Sequence, residues 1–186
     1  IGVILIGTFL LSLPVSSRDG EWTPFINSLF TATSATCVTG LVVYDTYMKW
    51  SLFGQIVILL MIQVGGLGFM TIITMFSIFL KRRIGLHERR LLMQSAGTMR
   101  ISGVVRLIKR ILVGTFVFEG TGAVLLATRF CPEMGILRGI YNAVFHSVSA
   151  FCNAGFDLMG RFESYSSFSR YAGDPVVNIT LMLLIV

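Results

Sequence analysis

The sequence predicts an all-α integral membrane protein built from two tandem helix–pore loop–helix units. Three observations lead to this prediction: an apolar composition, a basic segment confined to the middle of the chain, and an internal repeat. Of the 186 residues, 54% are hydrophobic and 13% are charged, whereas ordinary soluble domains carry about 25% charged residues. A soluble core cannot bury this much apolar surface, so most of the chain must face lipid or neighbouring membrane helices.

Four apolar segments are the predicted membrane helices. A helix needs about 20 predominantly apolar residues to cross a bilayer. The charge-free segment 52–80 and the segment 111–130, which contains two charged residues, are long enough. The segments 1–13 and 176–186 are shorter, and we interpret them as partial spans at the ends of a fragment.

A short helix is predicted at 23–35, between the first two apolar segments. Thr23 is a favourable N-cap residue, and Pro24 suits the first helical position. About a dozen helical residues rise only about 18 Å, which is too short to cross a bilayer. The following segment Thr36–Gly40 is rich in β-branched residues and ends in glycine, which is typical of a loop that enters the membrane as a short helix and returns as extended chain. An interfacial or extracellular helix is the alternative that this segment alone leaves open.

The same pattern occurs a second time. Asn27–Leu41 aligns without a gap on Asn142–Phe156, and the residues coincide at six of fifteen positions. Each copy lies between two apolar segments, so the repeated unit is helix, pore loop, helix. We therefore predict a first repeat at 1–80, a basic linker at 81–110 and a second repeat at 111–186.

The basic linker determines the expected orientation. Nine of the fifteen Lys and Arg residues lie between Lys81 and Arg110, where Glu88 is the only acid. Cytoplasmic loops of membrane proteins carry such an excess, so both pore loops are expected on the outer face. This confinement to one linker also argues against a nucleic-acid-binding surface, despite the net charge of +6.

The two predicted loops have the composition of a cation filter. No carboxylate occurs at 25–44 or at 137–156, so selectivity would come from backbone carbonyl groups, which replace the ion's hydration shell in potassium filters. Gly40 and Gly155 would allow the turn without Cβ strain. The negative C-terminal end of each short helix would favour a cation over an anion. A pair of surface hairpins ended by glycine is the structural alternative.

Three motifs in this order resemble the membrane subunit of the Trk/Ktr/HKT potassium transporters, and the bacterial Ktr-type subunit in particular. They are TSATCVTGL at Thr33–Leu41, QVGGLGF at Gln63–Phe69 and FHSVSAFCNAGF at Phe145–Phe156. In that family four repeats surround one pore and each contributes a filter strand with a glycine, so the resemblance implies that this chain holds the first two repeats. The implied potassium-binding filter residues are Thr36, Cys37, Val38, Thr39, Gly40, Phe151, Cys152, Asn153, Ala154 and Gly155.

The resemblance also implies what the protein does and where. It implies uptake of potassium, driven by the membrane potential, through a multi-pass protein of the bacterial cell membrane, with sodium transport or sodium dependence left open. No enzymatic activity and no covalently bound cofactor are expected. Membrane lipid, a second copy of the full-length subunit and a cytoplasmic ring of nucleotide-binding regulatory subunits are the implied partners; nucleic acid is not. A non-conducting membrane scaffold or accessory subunit is the alternative function.

Four residues near the predicted filter each have a functional and a structural interpretation. Glu119 lies in mid-span, where it either tunes the cation pathway electrostatically or is hydrogen-bonded to helix neighbours, which we favour. His146 is expected to pack or hydrogen-bond rather than bind an ion. Asp45 and Asp157 either attract cations to the outer mouth or are solvated loop acids.

Three glycines of the second apolar segment and one cysteine in each predicted loop also have more than one interpretation. Gly65, Gly66 and Gly68 are expected to let helices approach closely, with a hinge or kink as the second interpretation. Cys37 and Cys152 occupy equivalent positions of the repeat. We expect them to pack as small side chains rather than form a disulfide or a metal pair, because neither His nor an acid accompanies them.

Overall fold

The structure is a computed structural model that describes residues 1–68, 104–162 and 165–185. Within these ranges it is helical and contains no strand, which agrees with the predicted all-α class. Most of the predicted linker and the second half of the predicted span 52–80 lie outside the described residues.

Seven α-helices lie within the described ranges. They are α1 (Gly2–Ser12), α2 (Phe25–Cys37), α3 (Thr46–Lys49), α4 (Leu52–Leu67), α5 (Val104–Met134), α6 (Ile136–Phe151) and α7 (Pro175–Ile185). Three short 3-10 turns accompany them, at Pro14–Ser16, Met159–Arg161 and Ser169–Tyr171.

The chain divides into two compact units. One consists of 1–66 together with 119–186, and the other of 67–118. The first unit contains both predicted pore loops, the C-terminal part of α5 and the whole of α6 and α7.

The apolar segments form helices, but α5 is longer than its apolar part. It begins inside the predicted linker 81–110 and continues to Met134. Arg and Lys are good helix formers, so the basic residues of 104–110 extend the helix beyond the apolar run. Within the described ranges, Lys109–Met134 is the one helix long and apolar enough to cross a membrane, while α1, α4 and α7 are shorter apolar helices.

The start of α2 differs from the prediction. Pro24 occupies the N-cap position and Phe25 is the first helical residue. The Thr23 hydroxyl is buried without a hydrogen-bond partner among the residues that the structure describes, while its N–H donates to the Ser12 carbonyl at 3.3 Å. The prediction of Thr23 as N-cap is therefore wrong, because its backbone is used to join this segment to the end of α1.

The core of the first unit lies between α1, α2, α4 and α6. Its fully buried side chains come from all four helices and from the segments that follow α3 and α6. They include Leu11, Ala32, Ala35, Trp50, Ile58, Ile62, Phe145 and Ala154. A second cluster, around Leu126, Phe130, Tyr171 and Val177, joins α5 to α7. Both predicted pore loops are thus held by packed helices on more than one side.

An ion pair joins α5 to the start of α7. Arg129 Nε donates to Asp174 Oδ2 at 2.6 Å, and Asp174 Oδ1 accepts from the N–H groups of Val176 and Val177. Desolvation raises the pKa of the Asp174 carboxyl, but these hydrogen bonds outweigh it and hold the pKa below its ordinary value. The charged carboxylate therefore fixes the first turn of α7 against α5.

Candidate functional site

Both predicted pore loops consist of a helix followed by non-helical chain. α2 ends at Cys37 and α6 ends at Phe151, so each helix stops before the glycine that the repeat aligns, Gly40 or Gly155. A continuous helix through either glycine would have contradicted the prediction. The end of each helix before its glycine is therefore confirmed. The chain that follows turns through left-handed residues instead of being extended, and its depth in a membrane stays a prediction.

The backbone makes the same turn in both copies. The aligned residues Val38 and Asn153 have φ angles of 58° and 56°, and Gly40 and Gly155 have φ angles of 72° and 70°. Positive φ is uncommon for residues that carry a Cβ. Its occurrence at two pairs of aligned positions shows that the sequence repeat is also a repeat of backbone conformation.

Equivalent hydrogen bonds close the two turns. The Thr39 N–H donates to the Ser34 carbonyl at 3.0 Å, and the Ala154 N–H donates to the Ser149 carbonyl at 2.7 Å. These bonds are typical of helix ends that place a left-handed residue after the last turn. Each turn is thereby anchored to the last turn of its own helix.

The two turns contact each other through their glycines. A Cβ at Gly40 would lie 2.9 Å from the carbonyl oxygen of Ala154 and 3.3 Å from the Cα of Gly155. A Cβ at Gly155 would lie 3.2 Å from the Cα of Gly40. The opposing atoms belong to backbone and cannot move aside as a side chain can, so the approach requires glycine at both positions.

The remaining predicted filter residues differ in exposure. Ala154 is buried, whereas Cys37, Thr39 and Asn153 are exposed. The partly buried ones are Thr36, Val38, Phe151 and Cys152. The exposure of Cys37 differs from the packing predicted for it, because it is the last residue of α2 and its side chain leaves the helix away from the core.

Two glycines of α4 lie directly on the two turns. A Cβ at Gly65 would overlap the carbonyl oxygen of Thr36, and a Cβ at Gly66 would overlap the Cys152 sulfur. The predicted close approach is confirmed for both, and its partners are the loop turns. Gly68 has a φ of 78° and nothing within 4 Å of its Cβ position, so the close approach predicted for it is not found; it is the residue after the end of α4, and a hinge or kink there stays a prediction.

Glu119 is held by a partner on another helix. Its side chain is 6% exposed, and one carboxylate oxygen accepts a hydrogen bond from Gln63 Nε2 at 2.9 Å. Its backbone carbonyl accepts from the Ser147 hydroxyl at 2.6 Å. The carboxylate thus has a structural partner, but this partner lies on α4 and is not one of the helix neighbours that were expected; a polar side chain within the apolar run of α4 was the available signal. An electrostatic role of Glu119 stays a prediction.

His146 ties the chain after the second turn back to α6. The Leu158 N–H donates to Nε2 at 3.0 Å, and a nitrogen that accepts from an N–H carries no proton. The proton therefore lies on Nδ1, which donates to the Asn142 carbonyl at 2.7 Å. The Phe168 ring also packs edge-on at 4.9 Å, so the predicted hydrogen-bonding and packing role is confirmed.

Asp45 is a helix cap that also joins the two repeats. Its Oδ1 accepts from the N–H groups of Tyr47 and Met48 at 2.9 and 3.0 Å, which caps α3. Its Oδ2 accepts from the N–H of Tyr165 at 2.9 Å. With 9% exposure, Asp45 is not the solvated loop acid of the sequence interpretation, because three backbone donors replace water around it.

Asp157 lies in a more open environment than Asp45. Its Oδ1 accepts from the Met159 N–H at 2.9 Å, and its side chain is partly buried. It lines a cavity of about 260 Å³ beside the second turn, together with Ser149 and Asn153. Attraction of cations by this carboxylate stays a prediction.

Comparison with known proteins identifies the family. Residues 2–186 match the TrkH family, described as a cation transport protein. The potassium/sodium uptake protein NtpJ of Enterococcus hirae is 47% identical over 85% of this chain and 35% of its own length. The Ktr system potassium uptake proteins B of Bacillus subtilis and Vibrio alginolyticus are each 40% identical, over 98% and 97% of this chain and 40% and 38% of their own lengths.

The chain thus spans well under half the length of these relatives. The family description is that of a transport protein rather than of an enzyme, which agrees with the predicted lack of enzymatic activity. The matched residues 2–186 include both predicted repeats and the glycine motif of α4. This chain belongs to the TrkH family of cation transport proteins.

Proposed function

We propose that this chain supplies two of the four strands of a potassium-selective filter in a membrane uptake protein. The observation that carries the proposal is the backbone contact between Gly40 and Gly155, at matched left-handed turns that follow two short helices. Two distant segments of chain meet at the positions where the filter strands were predicted. Carbonyl groups of Thr36–Gly40 and Phe151–Gly155 would bind potassium in place of its water.

The proposed driving force is the membrane potential. An inward-negative potential is worth about 2.3 kcal/mol per charge per 100 mV, so a filter of this kind allows accumulation of potassium without ATP hydrolysis by this chain. The names of the relatives support potassium as the transported ion. The name of the Enterococcus protein includes sodium, which keeps sodium as a second transported or coupling ion.

The proposed setting is a multi-pass subunit in a bacterial cell membrane. The Bacillus and Vibrio relatives are named as proteins of a Ktr system, which supports a protein that works with further subunits. We propose a dimer of the full-length subunit, in contact with lipid and with a cytoplasmic ring of nucleotide-binding regulatory subunits.

Growth and uptake measurements test this function. We expect the full-length protein to restore growth at low potassium to bacteria that lack their own uptake systems. Uptake should stop when the membrane potential is collapsed, because the potential is the driving force. A non-conducting scaffold would leave growth and uptake at the level of the empty cells.

Thiol labelling tests the orientation. In a full-length background without the native cysteines, a cysteine at Arg89 or Arg100, which lie outside the described residues, should react with an impermeant reagent from the cytoplasm only. A cysteine at Asp19 or Ser166 should react from outside only. The excess of basic residues in the linker is the reason for this expectation, and labelling from the opposite sides would contradict it.

A further inference from the structure

We propose that Gln63 and Glu119 are a positioning pair that holds the Gly65–Gly66 segment of α4 against both turns and thereby maintains ion selectivity. The proposal rests on the proposed filter function. The two side chains are joined to each other by a hydrogen bond of 2.9 Å. The proposed effect of this bond on ion selectivity passes through the placement of α4.

The first step is the geometry of α4. Residues three apart are neighbours on one face of an α-helix, so the side chain of Gln63 and the bare backbone of Gly66 lie on the same side. The Gln63 amide reaches Glu119 on α5 at 2.9 Å. Gly66 meets Cys152, the first residue after α6. One face of α4 is thus fixed at two adjacent points, one polar and one steric.

The second step is that these contacts form a closed ring. Ser147 of α6 donates to the backbone carbonyl of Glu119 at 2.6 Å, which joins α6 to α5. The Glu119 side chain joins α5 to Gln63 of α4. Gly66 then returns the ring to Cys152 at the end of α6. Three helices are fixed to one another beside the second turn.

The third step is the lack of spare room at the glycines. A Cβ at either glycine would overlap the Thr36 carbonyl oxygen or the Cys152 sulfur, so even the bare backbone is in close contact. One residue of an α-helix rises about 1.5 Å, so a slip of α4 by one residue would separate both contacts. Breaking a buried hydrogen bond leaves its polar groups without a partner, which is costly, so this bond suits a contact that must prevent such a slip.

The pair offers a test that separates hydrogen bonding from charge. Exchanging the two side chains, as Gln63→Glu with Glu119→Gln, keeps an amide opposite a carboxylate but moves the charge to α4. Glu119→Gln alone keeps an acceptor oxygen for the Gln63 amide. Glu119→Ala and Gln63→Leu each remove the bond. If the hydrogen bond maintains selectivity by holding α4 in place, the exchanged pair should give the same ratio of potassium to sodium uptake as the original pair.

The measurement is the ratio of potassium to sodium uptake by the full-length protein, at matched amounts in the membrane. We expect Glu119→Ala and Gln63→Leu each to lower this ratio by about tenfold, the effect of leaving one buried hydrogen-bonding group without its partner. Glu119→Gln and the exchange should stay within about twofold of the original ratio. Gln63→Glu alone, which places two acids together, should lower the ratio as the deletions do.

Tyr141→Phe is the matched control. The Tyr141 hydroxyl donates to Gln55 Oε1 at 3.0 Å, so this substitution also removes a hydrogen bond between α4 and another helix. Gln55 lies ten residues before Gly65, or about 15 Å along the helix. We expect reduced stability with an unchanged uptake ratio.

Three outcomes would overturn the proposal. They are an unchanged ratio after both Glu119→Ala and Gln63→Leu, an exchange that behaves like Glu119→Ala, and a Tyr141→Phe variant that lowers the ratio equally. If Glu119→Ala does not reach the membrane, Gln63→Leu and the exchange decide the question. If the original protein takes up potassium selectively and the variants at Gln63 and Glu119 keep its uptake ratio, this inference alone is refuted. If the original protein shows no uptake, the proposed function is refuted.

Discussion

Replacing Gly40 by aspartate is expected to abolish potassium uptake by the full-length protein while leaving its amount in the membrane unchanged. The new Cβ would lie 2.9 Å from the Ala154 carbonyl oxygen, and the residue would have to hold a φ of 72°. Such backbone strain costs about 1–3 kcal/mol for a residue other than glycine. The added carboxylate would also place a fixed charge among carbonyl groups that are proposed to bind the ion.

Gly20→Asp is the matched control for this substitution. Gly20 has a similar φ of 68° but nothing within 4 Å of its Cβ position. It therefore carries the same backbone strain without the contact to the second turn, and we expect uptake close to that of the original protein. Gly40→Ser should be milder than Gly40→Asp and should lower the preference for potassium over sodium by about tenfold, since the crowding remains but no charge is added.

Flux measurements with potassium and sodium check this prediction. Uptake that is unchanged in Gly40→Asp would contradict the assignment of Gly40 to the filter. Equal loss in Gly40→Asp and Gly20→Asp would assign the effect to backbone strain alone. Only a loss confined to Gly40 supports the contact between the two turns as the functional feature.

The sequence was sufficient to predict the local structure of both loops. A short helix, a run without carboxylates and a final glycine are local features, and their repetition at aligned positions indicated a shared conformation. The structure has a short helix and a left-handed glycine in both copies, but Val38 and Asn153 also have left-handed φ angles, where extended chain was expected. Local patterns succeed here because helix ends and left-handed turns depend mainly on residues within one or two turns of chain.

The sequence was not sufficient to predict partners that come together only on folding. Glu119 was expected to bond to neighbours on its own helix, but its carboxylate is bound by Gln63 of α4. Asp45 was not expected to cap a helix, yet its carboxylate accepts hydrogen bonds from three backbone N–H groups, one of them that of Tyr165. Such contacts depend on packing between distant segments, which no local periodicity specifies.

Substitution of the α4 glycines is the second change for which a large effect is expected. In Gly65→Ala, the new Cβ would meet the backbone of Thr36, with its carbonyl carbon at 2.9 Å, and Val38 Cγ2 at 3.1 Å. Backbone atoms of an anchored turn cannot move aside, so α4 or the first turn must shift. We expect potassium uptake per molecule to fall by about tenfold or more, because overpacking costs about 1–3 kcal/mol. Gly120→Ala, where nothing lies within 4 Å of the Cβ position, is the control and should leave uptake unchanged.

The neighbouring glycine gives a contrasting result that identifies the cause. In Gly66→Ala, the Cβ would meet the Cys152 side chain, while the Cys152 Cα lies at 3.3 Å. Removing that side chain with Cys152→Gly should therefore restore part of the uptake lost in Gly66→Ala. The equivalent truncation Val38→Ala should not restore Gly65→Ala, because the closest atom there is a backbone carbonyl oxygen. Uptake and selectivity of the single and double variants, at matched amounts in the membrane, measure both effects. Restored uptake in Gly65→Ala with Val38→Ala, or unchanged uptake in Gly66→Ala, would contradict the contacts of α4 with the two turns.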